Sequence, residues 1–207
     1  MSFVKKTKVA GIILAAGASS RFGRLKQTLP WGEENLVNTV IATASVVGLD
    51  PIMLVLGNRA EEIEATIRDE QVQILHNPNW QEGQSTSLKI AAKQLSLELN
   101  GAVFLLCDQP QLSANFLSAI VEEGCRSNKV VVPYVNDRRS SPVYFPSSCF
   151  PLFEKLSGDQ GGRQIIAECP HTLLLWLDDW MVKDIDTPED YRQLCLHYGM
   201  PLAADIV

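Results

Sequence analysis

A group of small, hydroxyl and cationic residues near the start of the chain has the composition of a phosphate-binding loop. Residues 15–18 are all alanine or glycine, so a ligand could approach their backbone N–H groups closely. They are followed by two hydroxyl donors and three cations, which are Ser19, Ser20, Arg21, Arg24 and Lys26. Backbone donors beside three cations could hold an anion with several negative charges. A tight strand-to-helix turn with surface cations is the plainer alternative.

Two common phosphate motifs do not describe this loop. A Walker A loop needs GxxxxGK[ST], but Gly17 and Gly23 are one residue too far apart, and no Lys and hydroxyl pair follows them. A dinucleotide fingerprint needs GxGxxG, but Ala18 and Ser19 follow Gly17. The loop therefore requires a different phosphate motif.

An acidic residue far along the chain could hold a metal ion. Asp108 follows the apolar run GAVFLLC at residues 101–107, which predicts a buried strand. The carboxyl ends of strands in an open parallel sheet are where such sheets bind ligands. A helix cap is the other role open to Asp108, but Ser113 can cap the next helix itself. We therefore interpret Asp108 as a candidate metal ligand.

Alternating strands and helices would position these residues. Apolar runs predict strands at residues 9–14, 51–56, 72–75, 101–107, 129–133, 142–145 and 173–177. Helical spacing and capping residues predict helices at residues 36–47, 60–68, 86–97, 113–126 and 163–168, with a last helix starting at Thr187. The alternation predicts a mostly parallel sheet covered on both faces. We interpret His76 and Trp80, in the polar stretch before residue 86, as packing residues.

Composition narrows the classes of protein to which the chain could belong. With 207 residues, of which 46% are hydrophobic, we expect one domain over residues 1–207. The net charge of -6 argues against a nucleic-acid or anionic-membrane surface. No apolar run reaches the roughly 20 residues of a membrane span. Five scattered cysteines without CxxC spacing indicate reduced thiols, no zinc site and a cytoplasmic protein.

Residues 14–26, LAAGASSRFGRLK, resemble the signature LAAGxSxRxGxxK of the nucleotidyltransferases that act on molybdenum cofactor. Every fixed position of the signature is met. The resemblance implies a nucleotide held by Leu14, Ala15, Ala16, Gly17, Ser19, Arg21 and Lys26. It also implies that Arg21, Lys26 and Asp108 take part in catalysis.

Further segments resemble the same family, in the same order. Residues 83–88, GQSTSL, are similar to its GxSxSL segment, which implies that Gly83, Ser85, Thr86 and Ser87 contact the base and ribose. Capping of the next helix by Ser85 or Thr86 is the alternative. The DQP triplet after residue 107 resembles the metal motif, so Asp108 would hold Mg²⁺. Residues 184–191, DIDTPEDY, match a DxDTPxD element, so Asp186 would be the second metal ligand.

The segments that would bind the acceptor substrate match the family less completely. Residues 158–163, GDQGGR, resemble a GDxGxR segment, which implies that Asp159 and Arg163 bind an anionic acceptor. A glycine-rich turn with a surface arginine is the alternative. Cytidylyltransferases of the family commonly carry a His before the Pro-Val pair, and this chain has Ser141. The departure leaves the identity of the acceptor open.

The resemblance implies a single-domain Rossmann-like α/β/α sandwich of the nucleotide-diphospho-sugar transferase type. Its activity would be Mg²⁺-dependent transfer of CMP from CTP to a phosphorylated acceptor, molybdopterin, with release of pyrophosphate and possible contact with a molybdenum enzyme. CTP is expected over GTP because members that use GTP more often carry Gly at the position of Ala16. Alternatives are a sugar-phosphate nucleotidyltransferase, a redox enzyme for heteroaromatic substrates, or a nucleotide-binding maturation factor.

Overall fold

Strands and helices alternate along most of the chain. The computed structural model describes residues 8–158 and 161–202. In these ranges the strands are β1 (Val9–Leu14), β2 (Pro30–Trp31), β3 (Glu34–Asn35), β4 (Ile52–Leu56), β5 (Gln73–His76), β6 (Gly101–Leu106), β7 (Val130–Val135), β8 (Arg138–Arg139), β9 (Val143–Pro146) and β10 (His171–Leu175). The α-helices are α1 (Leu36–Val47), α2 (Ala60–Glu64), α3 (Gln84–Ala92), α4 (Ala114–Ser127), α5 (Arg163–Glu168) and α6 (Pro188–Tyr198).

One mixed, mostly parallel sheet forms the centre of the protein. Its strand order is β10-β7-β9-β6-β1-β4-β5, with β8 paired to β7, while β2 and β3 form a separate hairpin. Strand β1 is parallel to β4 and β6, whereas β9 is antiparallel to both of its neighbours. Leu14 lies opposite Leu106 in the sheet register, so the loops that leave β1 and β6 begin side by side.

Alternate residues of the central strands face two hydrophobic layers. Ile13 and Val103 pack with residues of α1 and α4 on one face. Ile12 and Phe104 pack with residues of α3 and with Phe145 on the other. The expected three-layer α/β/α arrangement is confirmed. Among the helices that the structure describes, each is too short or too polar to span a lipid bilayer.

Local capping explains where several helices begin and end. The Asn35 side chain accepts a hydrogen bond from the backbone N–H of Asn38, and Gly48 ends α1 at a φ of 79°. At the start of α6, Thr187 and Asp190 form a reciprocal capping box. These two helices begin where the sequence predicts.

Two helices are shorter than predicted. Helix α2 ends near residue 64 instead of 68 because the chain turns there to meet α1, where Asn38 donates a hydrogen bond to the Thr66 carbonyl. Helix α3 starts at Gln84 and ends at Ala92, earlier than predicted at both ends. Gly83 precedes α3 and makes no side-chain cap, so the alternative interpretation of Ser85 or Thr86 as the cap of this helix is wrong.

Helix α4 packs closely against the sheet at a glycine, Gly124. A Cβ atom added at Gly124 would overlap the ring of Tyr144, which is fully buried and donates a hydrogen bond to the Asn100 carbonyl. The close contact between α4 and β9 therefore depends on the absence of a side chain at Gly124.

Gly124→Ala should lower the free energy of unfolding by about 1 to 3 kcal/mol, because the added methyl group overpacks the core. Helix propensity alone predicts the opposite effect, a rise in the free energy of unfolding of up to about 1 kcal/mol. Urea denaturation measures the difference. Glu122→Ala, at an exposed position of the same helix, serves as the control and should stay within about 0.5 kcal/mol of the wild type. A Gly124→Ala variant as stable as the wild type would contradict the packing argument.

Candidate active site

A buried glutamine fixes the path of the loop after β1 through hydrogen bonds. Gln27 donates hydrogen bonds from Nε2 to the carbonyls of Ala15 and Gly17, each at 3.1 Å. Its Oε1 accepts a hydrogen bond from the Ser19 hydroxyl at 3.2 Å. Because Gln27 satisfies the carbonyls of Ala15 and Gly17 from inside the protein, residues 15–18 keep an irregular path. A single turn follows, in which the N–H groups of Phe22 and Gly23 donate to the Ser19 carbonyl. The sequence motif does not mark Gln27 as a site residue.

Lys26 joins three separate parts of the chain. Its Nζ lies 2.7 Å from Asp108 Oδ2, 2.8 Å from the Ile185 carbonyl and 3.4 Å from Asp186 Oδ1. Arg21 reaches the same cluster, with its guanidinium 2.7 Å from Asp186 Oδ2. Four residues that were predicted for one site, and that come from three distant parts of the chain, therefore meet in the structure.

The charges in this cluster affect one another. Burial tends to lower the pKa of Lys26, but the facing carboxylates of Asp108 and Asp186 outweigh burial and raise that pKa. Lys26 therefore stays charged at neutral pH. Desolvation and the nearby charges of Asp108 and Asp186 raise the pKa of Asp184 to about 6. Burial raises the pKa of Cys107 well above its ordinary value, so this thiol stays neutral.

Two buried glutamines after β6 hold the segment that carries the second carboxylate. Gln109 donates to Asp184 Oδ1 at 2.9 Å and to the Val182 carbonyl at 3.2 Å. Gln111 donates to the Lys183 carbonyl at 2.6 Å. The backbone adds a bond from the Ile185 N–H to the Asp108 carbonyl at 3.0 Å. Residues 182–185 are thereby fixed against the end of β6, and Asp186 is held near Asp108.

The two carboxylates have the chemistry of a divalent-metal site. Asp108 Oδ1 is buried and, among the described residues, has no hydrogen-bond partner. Carboxylate oxygens are preferred ligands of Mg²⁺ and Mn²⁺. No cluster of three or more His, Cys, Asp or Glu side chains in the described ranges could hold a metal. The chain would therefore offer two ligands, and phosphate or water oxygens would supply the others.

A cavity of about 530 Å³ lies over this cluster. Its lining includes Leu14, Ala15, Ala16, Gly17, Ser19, Arg21, Lys26, Gly83, Ser87, Asp108 and Asp186, all of them predicted from the sequence. It also includes Gln27, Gln81, Gln84 and Trp80. Trp80 was interpreted as a packing residue from the sequence, but it lines the cavity.

Ser85 and Thr86 do not line this cavity, contrary to the prediction for the GxSxSL segment. Ser85 is buried, and its backbone N–H donates to the Gly158 carbonyl. The Thr86 hydroxyl donates to the Gly83 carbonyl at 2.8 Å and accepts from Asn77 Nδ2 at 2.9 Å. Both residues shape the start of α3 from behind the cavity wall.

A second cavity of about 810 Å³ adjoins the first and shares Leu14, Gln84 and Leu106 with it. The apolar residues that line this second cavity include Leu88, Phe104, Val132, Val143, Phe145 and Ile166. Its other lining residues include Gln109, Arg138, Arg139, Ser140, Ser141, Gly161, Gly162, Arg163 and Asp184.

Arg163 lies where an anionic acceptor was predicted to bind, whereas Asp159 lies outside the described residues. The contribution of Arg138 and Arg139 was not predicted. In the sequence, these two arginines are marked by no more than a basic turn between two predicted strands.

The sequence model of a family described as "MobA-like NTP transferase domain" matches residues 11–173. PucB, a purine catabolism protein of Bacillus subtilis, is 32% identical over 87% of this chain and 93% of its own length. The molybdenum cofactor cytidylyltransferase of Escherichia coli is 29% identical over 87% of this chain and 92% of its own. The nicotine blue oxidoreductase of Paenarthrobacter nicotinovorans is 28% identical over 90% of this chain and 96% of its own.

The fold is also similar to a solved structure. The Rv0371c protein of Mycobacterium tuberculosis superposes with a TM-score of 0.81 at 28% identity, covering 91% of this chain and 97% of that one. A structure of the same protein in complex with manganese superposes with a TM-score of 0.76 at 26% identity, over the same shares of both chains.

The geometry predicts that Gln27→Met loosens the phosphate loop without unfolding the protein. The variant keeps the side-chain volume but leaves the Ala15 carbonyl without its buried donor, a loss worth about 1 to 3 kcal/mol. Amide hydrogen exchange should become faster in residues 16–24, and nucleotide affinity should fall. Gln193→Met, at an exposed position of α6, is the matched control. Unchanged exchange in the loop of Gln27→Met would mean that other contacts hold it.

Proposed function

This chain is a nucleotidyltransferase of the MobA-like NTP transferase domain family, and on that premise we propose that it transfers CMP from CTP to the phosphate of molybdopterin. The observation that carries the proposal is the junction of the two cavities beside Lys26 and Asp108. One cavity suits a triphosphate, and the other suits an anionic acceptor. Their shared wall would bring the two reactants together.

The proposed reaction is a direct displacement. A phosphate oxygen of the acceptor attacks the α-phosphorus of the nucleotide, a new P–O bond forms, and the bond to pyrophosphate breaks. The protein needs no covalent nucleophile, which agrees with the neutral, buried Cys107. Its main task is to hold two anions in line, and alignment of this kind accounts for a large share of many enzymatic rates.

Charge stabilisation is the second task of the protein. Backbone N–H groups of residues 16–21 would donate to the β- and γ-phosphates, since those of Phe22 and Gly23 already donate to the Ser19 carbonyl. Arg21 and Lys26 would face the oxygens where negative charge grows as pyrophosphate departs. Since Lys26 is almost fully buried, its charge acts through a medium of lower polarity than water, where it has a larger effect.

A divalent metal, Mg²⁺ in our proposal, would be held by Asp108 and Asp186. Its contribution would be to neutralise charge on the phosphate oxygens. The unpartnered Asp108 Oδ1 supports this assignment, and so does the manganese complex of Rv0371c. Without the ion, the carboxylates of Asp108 and Asp186 would repel the phosphates that Lys26 and Arg21 attract.

The acceptor assignment rests on the second cavity. Its apolar residues could pack against a flat heterocycle, while Arg138, Arg139 and Arg163 could pair with a phosphate. The relative named molybdenum cofactor cytidylyltransferase supports molybdopterin over a sugar phosphate. Contact with a recipient molybdenum enzyme remains a prediction.

Pyrophosphate release tests the proposed function. The assay combines each of the four nucleoside triphosphates and Mg²⁺ with molybdopterin, with and without inserted molybdenum, or with sugar phosphates. Release that requires CTP and a molybdopterin acceptor together is the expected result. Release with a sugar phosphate alone, or consumption of a reduced nicotinamide with a heteroaromatic substrate in place of pyrophosphate release, would overturn the assignment.

Lys26→Met should reduce kcat more than it raises KM for the nucleotide. The lost interaction is strongest in the transition state and should cost roughly 3 kcal/mol, which is about a hundredfold or more in rate. Asp108→Asn should reduce turnover at least as much while the protein stays folded. Lys93→Met, at an exposed position, is the control for Lys26. A rise in KM with unchanged kcat would make Lys26 a binding residue only.

CTP should bind more tightly than GTP, and Ala16→Gly should narrow the difference. Ala16 lines the nucleotide cavity, where its methyl group would crowd a purine before a pyrimidine. One methyl group of mismatch is worth only about 1 to 3 kcal/mol, so the preference is incomplete. Titration calorimetry of both nucleotides with Mg²⁺ measures it, and Ala18→Gly in the same lining is the control. Equal affinities, or tighter GTP binding, would refute the preference.

A further inference from the structure

Strand β10 leaves one side of its backbone open. The Val130 N–H donates to the Pro170 carbonyl, and the Trp176 N–H donates to the Tyr134 carbonyl. In a parallel ladder with this register, the even-numbered residues of β10 bond to β7. The N–H and C=O groups of His171, Leu173 and Leu175 therefore point away from β7. In residues 8–158 and 161–202, no strand pairs with that side of β10.

The same stretch exposes a row of leucines. Leu173 is 41%, Leu175 73% and Leu177 97% exposed, whereas Leu174 and Trp176 between them pack against the core. Leu173 and Leu175 lie on one face of the strand because strand side chains alternate, and Leu177 follows two residues after the strand ends. An open edge of this kind, without proline or an inward-pointing charge, is a template for pairing with another strand.

The two ends of this edge carry opposite charge. At the amino end, the Arg139 guanidinium lies 3.1 Å from His171 Nε2, and both side chains are exposed. At the carboxyl end, Asp178 and Asp179 follow Leu177. An antiparallel copy of the strand would bring each basic end to an acidic end, while a parallel copy would bring like charges together. The edge is therefore complementary to itself across a two-fold axis.

We propose that this edge is a dimer interface, in which β10 of a second copy pairs antiparallel with β10 across an axis at Leu175. In this register Leu175 faces Leu175 of the second copy, and Leu173 faces its Leu177. His171 and Arg139 then lie toward the acidic residues Asp178 and Asp179 of that copy. The odd-numbered residues, whose backbone groups point outward, form the hydrogen-bonded pairs that an antiparallel ladder requires.

Sedimentation equilibrium of the full chain over a range of micromolar concentrations tests the proposal. We expect a mass of twice 22.9 kDa. Leu175→Lys should shift the equilibrium to the monomer, since it buries two charges side by side at the axis. Leu97→Lys, which changes an equally exposed leucine elsewhere, should leave the dimer intact. A monomeric wild type, or a dimer that survives Leu175→Lys, would overturn the proposal.

Cysteine crosslinking tests the register. Residues in a hydrogen-bonded antiparallel pair have Cα atoms about 5.5 Å apart, which a disulfide can span. With copper phenanthroline and oxygen as oxidant, Leu175→Cys should crosslink to itself. Leu173→Cys should crosslink only when mixed with Leu177→Cys. Peptide mapping separates these bonds from any formed by the native cysteines. Crosslinks in another pattern would refute the two-fold pairing at Leu175.

A chain ending at Leu202 tests whether another part of this protein, residues 203–207, occupies the edge instead. If residues 203–207 covered the edge, the shortened chain would dimerise and the full chain would not, which would contradict the proposal. An equal tendency of both chains to form the dimer is the result we expect.

Discussion

The candidate active site depends on one buried ammonium group. Lys26 Nζ binds Asp108, the Ile185 carbonyl and Asp186, and so ties the loop after β1 to the end of β6 and to the segment before α6. Breaking a buried ion pair by removing one partner is strongly destabilising because the other charge is left uncompensated. Lys26 therefore holds the site together and also gives it positive charge, and Gln27, Gln109 and Gln111 hold the same segments through amide hydrogen bonds.

This arrangement suits a reaction between two anions. The parallel pairing of β1 with β6 brings the loop after β1 beside Asp108, and the glutamines hold Asp186 in reach of both. The adjoining cavity is lined by arginines and apolar side chains and meets the first cavity at Leu14 and Leu106, so an anionic heterocycle bound there would lie next to that loop. Most of the catalytic effect would then come from geometry and fixed charge that exist before substrates bind.

Local patterns in the sequence predicted the strands and the helix caps, because these depend on neighbouring residues. Buried parallel strands are short apolar runs, and caps such as Asn35 and Thr187 satisfy backbone groups of their own helix, so both could be located from neighbouring residues. The structure also brings Lys26, Asp108 and Asp186 together, as the family motifs implied. The contributions of Trp80 and Arg138 could not be predicted, because each depends on cavity walls formed by distant segments. Gln27 bonds within its own loop, to Ala15, Gly17 and Ser19, but the irregular path that brings these groups together has no periodic pattern in the sequence.

The most direct test of the proposed activity follows the phosphorus atoms of CTP. CTP labelled at the α-phosphorus should pass its label to the molybdopterin product, while CTP labelled at the γ-phosphorus should yield labelled pyrophosphate in equal amount, with no label on the protein. Direct transfer through the Lys26 and Asp108 site requires this distribution. A product that carries the γ-label, or a protein that retains the α-label as a covalent intermediate, would contradict the account.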